Sequence, residues 1–241
     1  MKPLTVLTAI AVLLISCMSP QVREVATPQK FILEIVAVDP VAVEVKQPVD
    51  NIARGMEVSN PEGQLSQLSF VLDGKGYSKI FSGLSVADVM RFWGDLYVFE
   101  HMGIKDIVLF INSPGGGAFA GMALADEIDR WKRRGFNITA YASGIIASAA
   151  VPVFAVCSKR IASPGTIFMT HQASLWAWPG QESAADIRSK NELMILLQDQ
   201  YVGYLARNSN LSSDEWNAKI DKTTWFNVDQ AIEWGLVDSV E

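Results

Sequence analysis

Two cysteines, two histidines and a charged fraction of 19% are all that 241 residues supply of the side chains that most often carry metal, redox or polyelectrolyte chemistry. Cys17 and Cys157 allow no disulfide framework, and with His101 and His171 they are too few for a Cys/His zinc cluster, so neither a metal nor a cofactor is expected. A formal charge of -6 and the lack of any long basic block exclude nucleic acid as the main partner. No G-x-x-x-x-G-K-[ST] occurs, so there is no nucleotide-binding loop of that type. What the chain does have is apolar surface: at 49% hydrophobic it can bury one substantial core, which predicts one domain plus appendages.

The first residues differ from all that follow. Lys2 precedes an uncharged stretch from Leu4 to Ile15, too short to span a bilayer and of the length of a signal-peptide apolar region. Leu14-Ile15-Ser16-Cys17 resembles the lipobox of bacterial lipoproteins, where cleavage before the cysteine leaves a lipid on its sulfur. A plain signal peptide and an uncleaved anchor are the other readings. The expected organisation is a signal peptide over 1–16, a tether from lipidated Cys17 through residue 63 and a domain over 64–241. Within the tether, two β-prone runs flank Asp39-Pro40, and five prolines recur from Pro20 to Pro61. The protein is then exported and held by a lipid anchor at the cell or outer membrane, facing the periplasm. Met18 after Cys17 favours the outer membrane in a Gram-negative host.

From about Gln64 the pattern becomes that of a compact α/β domain. Ser69–Leu72 predicts a short strand, and Ser85–Met102 an amphipathic helix with Val86, Val89, Met90, Trp93, Leu96 and Tyr97 on one side. An apolar run at 107–111 predicts a strand that ends in Asn112-Ser113-Pro114-Gly115-Gly116-Gly117. A helix follows, with Met122, Ala125, Ile128 and Trp131 at helical spacing and a basic last turn before Gly135. Another strand is predicted over Ile138–Ala142, and strand, helix and strand at this spacing imply parallel pairing.

A glycine turn between strand and helix gathers free backbone N-H groups, which suits a phosphate, a carboxylate or the oxyanion of acyl transfer; it also serves as a plain tight connection. Ser148 lies in a run of small residues that opens a buried helix over 147–156, provided Pro152 falls in its first turn. A serine there is either a nucleophile in the helix's positive field or a cap. A serine nucleophile needs a base. His101 is explained by a helix C-terminus, whereas His171 follows the strand candidate Ile167–Thr170, at an edge where site residues of parallel sheets collect.

Taken in order, I-N-S-P-G-G at 111–116, A-S at 147–148, M-T-H-Q at 169–172 and A-I-E-W-G-L-V-D at 231–238 resemble the proteolytic subunit of the Clp protease (ClpP), from Leu65 to Val240. The resemblance implies an α/β fold of the ClpP/crotonase type, with repeated β-β-α units and a protruding handle helix. It implies a serine endopeptidase acting on peptides or unfolded proteins, with Ser148 as nucleophile, His171 as base and Asp221 as acid. Asp214 and Asp229 are the other acid candidates, because the stretch from Asp221 to Gly235 is shorter than the family's usual spacing. The oxyanion hole falls to the backbone N-H groups of Gly116 and Ala149, which need no particular side chain. The segment 179–187 then leads into the handle, whose stripe is Ile187, Met194, Leu197, Tyr201, Tyr204 and Leu205, and a homo-oligomeric ring is implied. Two departures stand out: Trp176 and Trp178 replace a glycine-rich loop, and an exported chain lies beyond ATP. A membrane-tethered, ATP-independent peptidase is therefore expected. Related readings are a signal peptide peptidase using Lys159 or Lys190 as base, a crotonase-type thioester enzyme, and an inactive ring-forming scaffold.

Overall fold

The computed structural model describes residues 65–174 and 180–241. The expected signal segment, the Cys17 anchor, the tether through residue 63, Trp176 and Trp178 lie outside the described residues. Strands β1 (Phe70–Leu72) and β2 (Lys75–Ile80) form an antiparallel hairpin closed by Asp73-Gly74. Helix α1 (Val86–His101) starts at a capping box in which Ser85 and Asp88 satisfy each other's backbone. Strand β3 (Asp106–Ser113), helix α2 (Ala118–Arg133) and strand β4 (Asn137–Ala147) form the parallel crossover expected from their spacing. Helix α3 (Ala150–Ala155), strands β5 (Lys159–Ala162) and β6 (Ile167–Thr170), and the long helix α4 (Ala184–Arg207) follow. Helix α5 (Ser213–Ile220), strand β7 (Thr224–Phe226), helix α6 (Val228–Glu233) and strand β8 (Ser239–Val240) complete the described chain.

All eight strands belong to one sheet, in the order β1-β2-β3-β4-β5-β8, with β6 paired to β4 and β7 to β6. One face of its centre, with Ile107, Leu109 and Ile111 from β3 and Ile138, Ala140 and Ala142 from β4, is buried in the same core as Leu124, Ile128 and Trp131 of α2. Alternation of period two in β3 and β4 produces that face.

Strand β4 carries the feature on which the site depends. Ile111 pairs with Ala142, but Ser113 pairs with Ile146, so β4 holds two extra residues, Ser143 and Gly144. Asn112 fills this irregularity, its Oδ1 accepting from the Ile145 N-H at 3.2 Å. Gly144 lies there at φ 71°, and a Cβ on it would come within 2.9 Å of Asn112 Oδ1. Before the irregularity β4 pairs with β5, and after it with β6.

Helix α1 turns a different face inward than its most obvious stripe suggests. Phe92, Leu96 and Phe99 are buried, while Val86, Met90, Trp93 and Tyr97 are exposed. The helix carries two apolar stripes, and the inward one includes Asp95, whose charge hid it. Its carboxylate is buried among donors from Ser66, Ser69 and Arg91.

The C-terminal segment is tied to β5 by Asp238, which accepts from the Arg160 backbone N-H at 2.7 Å and from its guanidinium at 2.5 and 3.1 Å. Burial acts to raise the Asp238 carboxyl, but the Arg160 hydrogen bonds and charge outweigh it and hold it below its ordinary 3.8. A depressed folded value stabilises the protein above the unfolded pKa and ceases to do so as pH falls through the folded one. Asp238→Asn is expected to cost about 1 kcal/mol after solvent screening. Thermal unfolding against pH checks it: the gap from wild type holds at neutral pH and closes in strong acid.

Candidate active site

Ser148 directly follows β4 and has a backbone that L-residues rarely adopt, φ 53°. A strand that turns this sharply into α3 lifts the serine side chain clear of the sheet. Strand-like ladder bonding continues to this residue, since its N-H donates to the Met169 carbonyl of β6 at 2.8 Å. Its own carbonyl accepts twice, from the Val151 N-H at 3.0 Å and from the Tyr201 hydroxyl of α4 at 3.1 Å. Beneath it lies Gly115 at φ 92°, where a Cβ would stand 2.6 Å from both the Ala147 carbonyl oxygen and Ser148 Cβ. The buried Ser113 hydroxyl organises this turn, donating to the Ser82 carbonyl at 2.6 Å and accepting from the Gly115 N-H at 3.2 Å. The buried helix predicted over 147–156 is real but starts later, at Ala150, because β4 runs on to Ala147. Pro152 sits in its first turn, where a missing N-H costs nothing.

Parallel register brings His171 to the serine. Ala147 pairs with Met169, so the residues just past both strand ends meet, and His171 Nε2 lies 2.8 Å from Ser148 Oγ. For Nε2 to accept the serine proton, the ring proton must sit on Nδ1. Gly116 bridges to Leu84 only through its neighbours, with Leu84 N-H on the Gly115 carbonyl at 2.7 Å and Gly117 N-H on the Leu84 carbonyl at 2.9 Å. Neither the Gly116 nor the Ala149 N-H has an acceptor among the described residues. Both residues line a cleft of about 270 Å³ with Ser148, His171, Met122, Leu197 and Tyr201, and the N-terminus of α2 opens onto it. Two unpaired amide donors, a serine and a hydrogen-bonded imidazole in one cleft can form and stabilise a tetrahedral acyl intermediate.

The acid candidates are placed differently. Asp221, at the exposed C-cap of α5, accepts from Gln172 Nε2 at 3.1 Å, beside His171 in sequence, and among the described residues it makes no hydrogen bond to the imidazole. Asp214 and Asp229 lie exposed in the first turns of α5 and α6. Lys190 pairs with Glu182, Lys159 is exposed on β5, and no lysine lines the cleft. His101 is the exposed last residue of α1. Cys157 is buried with its thiol on the Val153 carbonyl, and burial raises that thiol to about 12, so it is inert at neutral pH.

A larger depression of about 450 Å³ is lined by Lys132, Arg160 and Arg207. Two of these cations already serve helix ends there, Lys132 on the Val156 carbonyl at 2.5 Å and Arg160 on that of Asn208. Among the described residues no three His, Cys, Asp or Glu side chains gather to hold a metal ion.

Tyr201 was legible in the sequence only as one member of a helical apolar stripe, and nothing in that stripe marks it as the residue reaching Ser148. The close approach of Gly115 carries a prediction. Gly115→Ala is expected to destabilise by about 1–3 kcal/mol and to slow labelling of Ser148 by a fluorophosphonate probe at least tenfold. Labelling at the wild-type rate would show that the turn does not set the serine's position.

Residues 94–241 match the Clp protease family. The ATP-dependent Clp protease proteolytic subunit 2 of Corynebacterium diphtheriae and that of Corynebacterium efficiens are each 34% identical to this chain over 138 residues, covering 56% of this chain and 66% of the relative. The chain thus spans just under two thirds of the length of these curated relatives. With more than half of its length matched and the motifs at 111–116, 147–148, 169–172 and 231–238 all falling inside the match, the chain belongs to the Clp protease family.

Proposed function

We propose that this chain is a serine endopeptidase that hydrolyses peptides or already unfolded proteins. The observation that carries the reading is the 2.8 Å contact between Ser148 Oγ and His171 Nε2 on a strained strand-to-helix turn, beside two amide donors with no acceptor among the described residues. His171 Nε2 takes the Ser148 proton as Oγ attacks the scissile carbonyl. The oxyanion is held by the Gly116 and Ala149 N-H groups, and His171 then returns its proton to the leaving amine. Water hydrolyses the acyl-enzyme by the same route in reverse. Gly116 and Gly117 line the cleft and offer backbone edges to an extended peptide.

Asp221 is the proposed acid, and this role requires its carboxylate to exchange Gln172 for the His171 ring during turnover; catalytic hydrogen bonds commonly tighten only in the substrate complex. The lysine-base reading loses support, since among the described residues no lysine lines the cleft. A thioester-binding crotonase activity and an inactive scaffold remain distinct outcomes, the first detectable by retention on immobilised coenzyme A.

Oligomerisation into a ring is supported by α4. Residues 184–192 of this helix are exposed on every face, and beyond them Ile195 and Leu196 are exposed too. A helix half with no tertiary cover among the described residues gains little from packing against them. The capping box of Ser183 and Asp186 fixes its start, and the Ser183 hydrogen bonds lower the Asp186 carboxyl. A second copy is the cover we propose. Tethering through lipidated Cys17 and independence from ATP complete the proposal; both rest on the N-terminal sequence, which reads as an export signal.

Purified protein assayed on fluorogenic peptides without nucleotide is expected to turn over, and Ser148→Ala to lose at least about 10³-fold in kcat. Equal turnover by both would overturn the assignment. Asp221→Asn separates two roles for the acid: a loss of about 10²-fold or more in kcat marks a triad member, whereas a loss below tenfold marks an anchor for Gln172 alone.

A further inference from the structure

We infer that the hydroxyl of Tyr201 is a positioning residue for the oxyanion hole, acting through the Ser148-Ala149 peptide unit. The inference rests on the peptidase reading above and extends it to a side chain on a different helix.

Tyr201 Oη donates to the Ser148 carbonyl at 3.1 Å, across 53 residues of sequence. A peptide unit is planar and trans, so its C=O and N-H point in opposite directions. Fixing the direction of the Ser148 oxygen therefore fixes the direction of the Ala149 N-H, which has no acceptor among the described residues and belongs to a residue lining the cleft. The second acceptor contact on that oxygen, from Val151, is local and belongs to the first turn of α3. The Val151 contact holds the carbonyl only from within its own short helix, and the tyrosine supplies the long-range restraint. Hydrogen bonding to the carbonyl also polarises the whole unit and strengthens its N-H as a donor. Burial pushes the pKa of the Tyr201 phenol strongly upward, so it stays protonated and remains a donor across the working pH range. Its ring lines the cleft beside Leu197, which holds the hydroxyl in place by packing.

Tyr201→Phe removes the hydroxyl and keeps the ring. Tyr204, on the same helix, provides the control: its hydroxyl donates to Asp126 at 2.6 Å and touches nothing in the cleft. Peptide hydrolysis by the intact protein is expected to show kcat lowered about tenfold in Tyr201→Phe, with KM changed less than twofold. Affinity for a peptide aldehyde, whose adduct carries the oxyanion, should fall by the same factor. Tyr204→Phe should lower the unfolding temperature while keeping wild-type kcat. The inference is overturned if Tyr201→Phe keeps wild-type kcat, if its KM rises in place of a kcat loss, or if Tyr204→Phe loses kcat equally. These outcomes differ from failure of the peptidase reading itself, in which wild type and Ser148→Ala turn over alike.

Discussion

The positive φ of Ser148 is the constraint around which the site is built. A non-glycine residue in that region costs about 1–3 kcal/mol and persists only where its surroundings leave no alternative. Here the surroundings come from four separate parts of the chain. Strand β6 binds the serine N-H, α3 and α4 bind its carbonyl, and the glycine turn after β3 leaves no space beneath it. None of these restraints is adjacent in sequence except Val151. The site therefore forms only when the domain has assembled, and the strain lifts Oγ out of the sheet toward the imidazole.

Asn112 has a comparable influence on the histidine. Two extra residues in β4 divide it into a half that follows β5 and a half that follows β6, and the Asn112 amide occupies the gap that they open. Were β4 to run in constant register, the edge on which β6 pairs would be lost, and His171 would have no strand to carry it to Ser148. The glycine turn and the asparagine before it thus have different tasks. Gly116 lines the cleft, while Asn112 shapes the strand that brings Ser148 and His171 together.

Much of this was legible in the sequence because the core elements are strongly patterned. Strand β3, helix α2 and the stretch before His171 combine apolar periodicity with glycine or proline punctuation, and each formed close to its expected bounds. The elements that escaped notice lack that pattern. Strand β2, Lys75-Gly76-Tyr77-Ser78-Lys79-Ile80, holds one strongly apolar residue at its end and is made a strand by its partners. Strand β5 begins with two cations. The outward stripe of α1 looked like its core face because Asp95 interrupts the true one, and a buried carboxylate becomes tolerable only once Ser66, Ser69 and Arg91 have converged on it. At the site, the serine and histidine were marked by scarcity and by strand ends. The Tyr201 contact links α4 to the serine across 53 residues, a separation that no local pattern encodes.

The position of Asp221 follows from what a resting imidazole offers. On the proposed mechanism His171 accepts from Ser148 at rest and so presents an uncharged N-H to any acid, as does the Gln172 amide beside it, which holds the carboxylate at 3.1 Å. Between two neutral donors a carboxylate has little reason to prefer the ring. Once the serine proton has moved to Nε2, the imidazolium becomes a charged donor, and charge-assisted hydrogen bonds are about twice as strong as neutral ones. On the proposed mechanism the preference of Asp221 thus changes at the step where an acid lowers the barrier. An interaction made only in the transition state accelerates the reaction, whereas one already made in the resting enzyme and kept unchanged does not. A carboxylate engaged with Gln172 at rest is therefore consistent with an acid whose contribution arises as the imidazolium forms.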